Sequence, residues 1–450
     1  MKKYNKLISL MVALFVVGAC DDKLELSDPE RVGPSIVFSS DANVKSALLD
    51  AYDGLSSGSL FGGNTLRNSE LLGSGGEVNW SGTFNDPLDI FNKQMTTINA
   101  EAANTWIAAY DAINAANNIL ASLSVVNEED RDQVKGEALF VRGIALFELV
   151  RLYGKPYSAG NTATNLAVPI MLEEDRNSVA QVSRATVEEV YQQVLSDLGT
   201  AEGLLNEGRN NNKASRGAVA AILSRVHLQM GSYQSARDAA NRVITSGNYS
   251  LNASYAACFN GVTTNEDIFD IPVSNADGTN SMVTFFAATS AGGRGDIQIL
   301  DSHLNLYDTD DNRLSLFYAD PSNGRMRSGK WLNPNGYVKI IRLAEMYLTR
   351  AECNFRLGTS TGDTPLNDVN QVHTRAGLTA LGSVDLAAIL LERRLELAHE
   401  GHRIHDTKRL QGTVIEGTNT YPYDHDLLVY PIPQRERNVN SNLTQNSGYF

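Results

Sequence analysis

Cysteine is scarce, with three among 450 residues, at positions 20, 258 and 353. So few thiols, so far apart, exclude a disulfide framework and leave room for one bridge at most; Cys258 and Cys353 read instead as small buried hydrophobes. Cations are in deficit, 38 Lys and Arg against 52 Asp and Glu, for a formal net charge of −14. A chain of that sign repels polyanions, which disfavours nucleic acid and anionic membrane surfaces as partners. Past the first twenty residues no apolar run approaches transmembrane length. Signatures of catalysis and of cofactor binding are also missing: there is no Gly-x-Ser-x-Gly elbow, no phosphate loop and no Gly-x-Gly-x-x-Gly turn after a strand. Gly292-Gly293-Arg294-Gly295 is glycine-rich but lacks the lysine and hydroxyl residue that would hold a phosphate. An enzyme is therefore the least favoured class, and no cofactor is implied.

What is present begins at the N-terminus. Lys2, Lys3 and Lys6 lead an apolar run over 7–17, which Gly18-Ala19-Cys20 closes. The run is too short to cross a bilayer, and small residues before a cysteine are what a lipoprotein-processing enzyme needs to leave that cysteine as the lipid-modified N-terminus. Residues 1–19 thus read as a lipoprotein signal peptide and Cys20 as the lipidation site. An ordinary secretory signal with an incidental cysteine is the alternative, and either one takes the chain out of the cytoplasm. Several acyl chains on one cysteine make a permanent tether. Residues 20–40, polar and carrying Pro29 and Pro34, read as a flexible leash between membrane and folded body.

Helical periodicity dominates the rest. Val134, Ala138, Val141, Ala145, Leu149 and Leu152 share one stripe with Lys135, Arg142 and Arg151 off it, which predicts an amphipathic helix that Gly154 and Pro156 stop. Residues 214–247 carry a tetratricopeptide pattern. Ala220, Leu223, Ser224 and Met230 line a first helix, Gly231-Ser232-Tyr233 turns the corner, and Ala236, Ala240 and Val243 form the inner face of a second. His227 takes the slot where such repeats often place tyrosine, so it reads as packing rather than a ligand. Similar helix pairs can be drawn for 101–123 with 130–153, for 185–206, and for 339–358 with 365–377. The fold class is therefore mostly all-α, a tetratricopeptide-like scaffold over 41–260 and 337–450. Residues 57–99 and 261–336 interrupt it with Gly, Asn, Ser and Asp, as long loop-rich insertions of the kind that carry function.

Taken in order, these segments resemble the SusD/RagB family of outer-membrane nutrient-binding lipoproteins. The resemblance rests on Cys20-Asp21-Asp22 with its short leash, on TWIAAYDAINAANNIL at 105–120, and on VKGEALFVRGIALFELVRLYG at 134–154 leading to Ala167-Val168-Pro169. It continues in RATVEEVYQQVLSDL at 184–198, the repeat around Gly231 and IIRLAEMYLTRAECNFRLG at 340–358. It ends in LERRLELAHEGHRIHDTKR at 391–409, Tyr430-Pro431-Ile432-Pro433, and Asn442 to Asn446 before Gly448-Tyr449. The resemblance implies a SusD-like fold seated as a lid over a SusC-like TonB-dependent transporter in the outer membrane, facing outward, with the lipid anchor in the membrane. It implies capture of an oligosaccharide, or in some members a peptide, and no chemistry. The chain is short for that family, which implies trimmed loops and a reduced sugar platform. The third possibility is a tetratricopeptide adaptor that only docks proteins.

Sugar capture needs flat apolar rings against the C–H face of a pyranose and planar polar groups at its edge. The insertions offer Trp80 with Asn79, Phe84 and Asn85, and Phe285, Phe286, Arg294, Tyr307 and Trp331; Trp80 and Trp331 are the leading pair, whereas Trp106 reads as helix core. His399, His402 and His405 are spaced three and three, not as a zincin requires, and Gly401 interrupts them, so no metal site is expected. The resemblance implies instead that Glu392, Arg393, Arg394, Glu396, Glu400, Arg403 and Asp406 form an ion-pair network that ties the last helices together. Asp308, Asp310 and Asn312 alternate like the start of a calcium loop but lack its glycine and glutamate, so a turn paired to Arg313 is favoured over a looser cation site.

Overall fold

The computed structural model describes residues 38–174, 181–210, 212–274 and 278–449. The signal peptide, Cys20 and nearly all of the expected tether lie outside the described residues. In chain order the elements are α1 (Asp41–Ser56), α2 (Asn64–Leu72), β1 (Val78–Trp80), α3 (Asn85–Asn92), α4 (Ala100–Ala121), α5 (Glu128–Tyr153), α6 (Val187–Leu204), α7 (Arg216–Gln229) and α8 (Tyr233–Thr245). There follow β2 (Asp267–Ile271), α9 (Ser281–Phe286), β3 (Ile297–Ile299), α10 (Asp301–Leu304), β4 (Phe317–Ala319), β5 (Met326–Ser328) and β6 (Val338–Arg342). The chain ends with α11 (Leu343–Leu357), α12 (Pro365–Arg375), α13 (Leu386–Glu396), α14 (Arg403–Arg409), β7 (Thr413–Glu416), β8 (Asn419–Pro422) and α15 (Gln434–Val439).

Local chemistry starts and stops these helices. Ser40, Asn99, Ser215 and Asp385 each accept a backbone N–H of the first turn they cap, and Thr186 with Glu189 forms a reciprocal capping box. Thr364 caps α12, whose first residue is Pro365, and Gly358 ends α11 in the left-handed region. Each long helix packs on the next, α1 on α4, α4 on α5, α5 on α6, α6 on α7, α7 on α8, α8 on α11 and α11 on α12, which makes a helical-repeat scaffold. The tetratricopeptide turn forms where the pattern places it: Gly231 takes φ +73, and Ala236, Ala240 and Val243 are buried. Helix α5 differs from the expected one-faced helix. It is buried nearly all round, and Arg142 makes a two-pronged pair with Asp197 of α6 at 2.7 Å. Gly136 and Gly143 let α6 approach that closely, for a Cβ there would meet Leu205 and Leu198 inside 3 Å.

Four two-stranded antiparallel ladders are added to the helices, and two of them organise the insertions. β2 pairs with β6 from Asp267–Arg342 to Ile271–Val338, closing the second insertion at its base. β1 pairs with β3, Val78 opposite Ile299 and Trp80 opposite Ile297, and joins the first insertion to the second. The β7–β8 hairpin falls within the C-terminal part that was expected to be helical. Its strands are too short and too exposed to give a hydrophobic period.

Charged side chains bind the C-terminal helices to the rest. Arg342, buried, pairs with Glu266 (2.5 Å), Glu396 (3.0 Å) and Glu400 (2.8 Å), while Arg375 reaches both Glu266 and Glu396. Arg393 bonds Asp406 (3.0 Å), and Arg409 joins Asp406 to Glu352. The expected ion-pair residues are thus all engaged, chiefly with partners elsewhere in the chain. Asp311 is likewise structural: it is buried in a fork with Arg313, which also holds Glu392 at 2.6 Å. The two cysteines among the described residues are free and buried, Cys353 against Leu228 and Ala236, and Cys258 beside Tyr255 and Phe259.

Two outcomes follow from this packing. At Gly73 a Cβ would lie 2.5 Å from the Ile404 nitrogen, where α2 meets α14. Gly73→Ala should therefore destabilise the fold by about 2 kcal/mol in urea denaturation, and an unchanged midpoint would contradict that close approach. The second outcome concerns acid. Burial alone would raise the Glu396 carboxyl, but the guanidiniums of Arg375, Arg342 and Arg313 hold it down from 4.5 to about 2. Glu77, also buried, is held at about 2 by His303, Arg403 and Arg394. A carboxylate depressed in the folded state contributes stability that is present above its unfolded value and lost as pH falls through the folded one. Glu70 and Asp270, raised by burial to about 7 and about 6, have the opposite sign, and cost stability as pH rises from about 4 through those values. Stability should drop as pH falls from 4.5 toward 2, and urea midpoints that stay level there would count against the network.

Candidate functional site

The β1–β3 ladder brings the two insertions together at one surface. It sets Trp80 opposite Ile297, with Asp296 immediately before the strand, and Ser81 N–H extends the pairing to the Asp296 carbonyl at 2.7 Å. Gly82 follows, and it must be small, because a Cβ there would come 2.6 Å from both the Trp80 ring and the Asp296 carboxyl. The turn delivers Phe84 at the cap of α3 and Asn85 as its first residue.

These pieces stack in layers. The buried Arg67 guanidinium, paired with Glu101 at 2.7 Å, lies 4.1 Å from the Phe285 ring centre. Phe285 meets Trp80 at 5.8 Å and Phe84 edge-on at 6.2 Å. Arg294 closes the stack from outside, its guanidinium 4.4 Å over the Phe84 ring. Asp296 Oδ2 accepts from Arg294 Nε at 2.9 Å, and Thr83 Oγ1 accepts from Nη2 at 3.0 Å, so that plane is fixed. Phe84 is 48% exposed, whereas Trp80 and Phe285 are 5% and 8% exposed. The site presented to solvent is one half-exposed aromatic ring with the fixed Arg294 over it and the exposed Asn85 next in the chain, above a buried aromatic base. Half-buried Asn79 sits opposite Gln298 in the ladder behind it.

Six of the nine expected residues thus share one surface: Asn79, Trp80, Phe84, Asn85, Phe285 and Arg294. The other three are corrected. Trp331 is core, 3% exposed, its Nε1 donating to the His399 carbonyl at 3.2 Å and its ring against Phe259. Phe286 is fully buried against His399, and buried Tyr307 donates its hydroxyl to the Leu395 carbonyl at 3.1 Å. Trp80 itself is a supporting ring rather than a platform, because Gly82 and Asp296 close over it. Trp106 is core against Tyr110 and Tyr153. Arg67, Thr83 and Asp296, which hold the layers, escape a sequence reading, since only Asp296 stands near its partner in the chain. The three histidines of 399–405 diverge: His399 lies among Phe286, His303 and Phe317, His402 is 3.8 Å from Glu345, and His405 contacts Ser69.

The contrast in burial has a direct readout. Phe84→Ala should change unfolding free energy by less than about 0.5 kcal/mol, as exposed substitutions do, whereas Trp331→Ala should cost about 3 to 5 kcal/mol. Chemical denaturation of both variants checks it; a costly Phe84 or a neutral Trp331 would reverse the assignment of platform and core.

Comparison with known proteins places this architecture. A family model described as "Starch-binding associating with outer membrane" matches residues 24–228, and the SusD family model matches residues 318–449, so that together they span most of the chain. The chain is 25% identical to a SusD-like protein P2 of Formosa agariphila over the full length of both. It is 34% identical to the starch-binding protein SusD of Bacteroides thetaiotaomicron over 129 residues, covering 26% of this chain and 22% of that one. Among solved structures, a SusD superfamily protein from Bacteroides thetaiotaomicron superposes with a TM-score of 0.81 at 25% identity, covering 90% of this chain and 99% of the other. With its helical-repeat scaffold and its two ladder-joined insertions, the chain belongs to the SusD family.

Proposed function

We propose that this protein is a lipid-anchored carbohydrate-binding protein of the outer membrane, which captures an oligosaccharide at the cell surface and passes it to a SusC-like TonB-dependent transporter that it caps. The observation that carries the reading is the half-exposed Phe84 ring with Arg294 fixed over it and the exposed Asn85 beside it in the chain, on a chain of this family. A single open ring can stack on one pyranose through its C–H face while the guanidinium and amide meet ring hydroxyls. The family model's description supports sugar as the ligand class and the outer membrane as the place. The small-residue cysteine motif at 18–20 supports Cys20 as the anchor. The role is capture without turnover, with neither cofactor nor nucleic acid involved.

With one solvent-facing ring, affinity for a single chain end is modest and selectivity resides in the polar edge. Screening the purified protein against a glycan array and titrating the hits by calorimetry should identify a bound glycan. The variant Phe84→Ala with Asn85→Ala should then bind at least tenfold more weakly, a loss of about 1.4 kcal/mol, with unchanged helical circular dichroism. Binding that survives this double change would move the sugar site elsewhere, and association with a transporter in the absence of any glycan affinity would favour the docking adaptor.

A further inference from the structure

A cavity of about 270 Å³ lies away from the Phe84 surface, between the β1 approach, α10, α13 and α14. One wall is apolar, made by Val78, Leu390, Leu391, Leu397 and Leu410. Much of the rest of the lining is charged. Arg394 and Arg403 both bond a single carboxylate, Glu77, and the Arg403 Nε is buried with no hydrogen-bond partner among the described residues. Around them Arg393 and Arg409, together with Arg225 and Arg356, share Glu345, Asp406 and Glu352. One Glu70 oxygen accepts the backbone N–H groups of Gly401, His402 and Arg403, and burial raises its carboxyl to about 7. His399, 2% exposed and lining the cavity, has neither ring nitrogen hydrogen-bonded to any described residue. A buried polar group without a partner costs free energy, and two of the residues that line this cavity, His399 and Arg403, carry such groups. The mouth is open, for Leu391 is 40% exposed and the Arg394 side chain 34% exposed.

We infer that this cavity binds a small organic monocarboxylate with an apolar body, its carboxylate on Arg403 and Arg394, its polar edge toward His399 and its body on the leucine wall. One guanidinium in excess of one carboxylate matches a monoanion, and guanidinium recognises carboxylate with directed N–H donors. The apolar wall excludes a ligand that is hydroxylated all round.

Saturation-transfer NMR and thermal shift on the purified protein, with hexanoate, hexanol and glucuronate as probes, test the assignment. Hexanoate should receive saturation and raise the melting temperature, hexanol and glucuronate should do neither, and Phe84→Ala should leave the hexanoate response unchanged. Leu391→Trp, which fills the mouth from an exposed position, should abolish the response, and Arg394→Gln should weaken it at least fivefold. A silent hexanoate, an equal response to hexanol, glucuronate bound in place of hexanoate, or full retention in a folded Leu391→Trp protein would each overturn it.

Discussion

The structure depends on one buried cation. Arg342 closes the β2–β6 ladder, stands at the start of α11, and pairs with Glu266 before β2, Glu396 at the end of α13 and Glu400 beyond it. A guanidinium withdrawn from water is costly, and only several well-placed carboxylates offset that cost. Arg375 from the end of α12 shares two of the same carboxylates, so base of insertion, scaffold and terminal helices meet in one cluster. Removing one partner would leave the others charged and unpaired, which makes the arrangement of these elements all or none.

From that fixed base the second insertion runs outward and is caught a second time by the β1–β3 ladder. A long connection held at both ends is a rigid presenter rather than a loose loop. That is why Phe84 can stand half out of the surface with its orientation set by Phe285 beneath and Arg294 above. Trp331, larger and apparently better suited to stacking, serves instead as the plug between the insertion and the segment around His399.

His399 shows how closely scaffold and cavity are joined. Its carbonyl takes the Trp331 indole N–H, its backbone adopts φ +61, and its ring lines the cavity with both nitrogens unpaired. A non-glycine residue held in that region persists because its surroundings over-determine it.

Much of the scaffold was legible in the sequence because helices are local: the period around 134–152, the Gly231 corner and the caps at Thr186 and Thr364 each depend on neighbours within one or two turns. The ion-pair residues of 392–406 could be named from the chain alone, though not their partners, since Glu77, Glu266 and Arg342 lie far off in sequence. Only the tertiary structure decided which aromatics face water. Whether a ring is a platform or a plug depends on what the rest of the chain lays over it: the β1–β3 ladder, Gly82 and Asp296 cover Trp80, residues near His399 cover Trp331, and Phe84 alone among the named aromatics is left open. Burial is a property of long-range packing, and composition and periodicity carry no record of it.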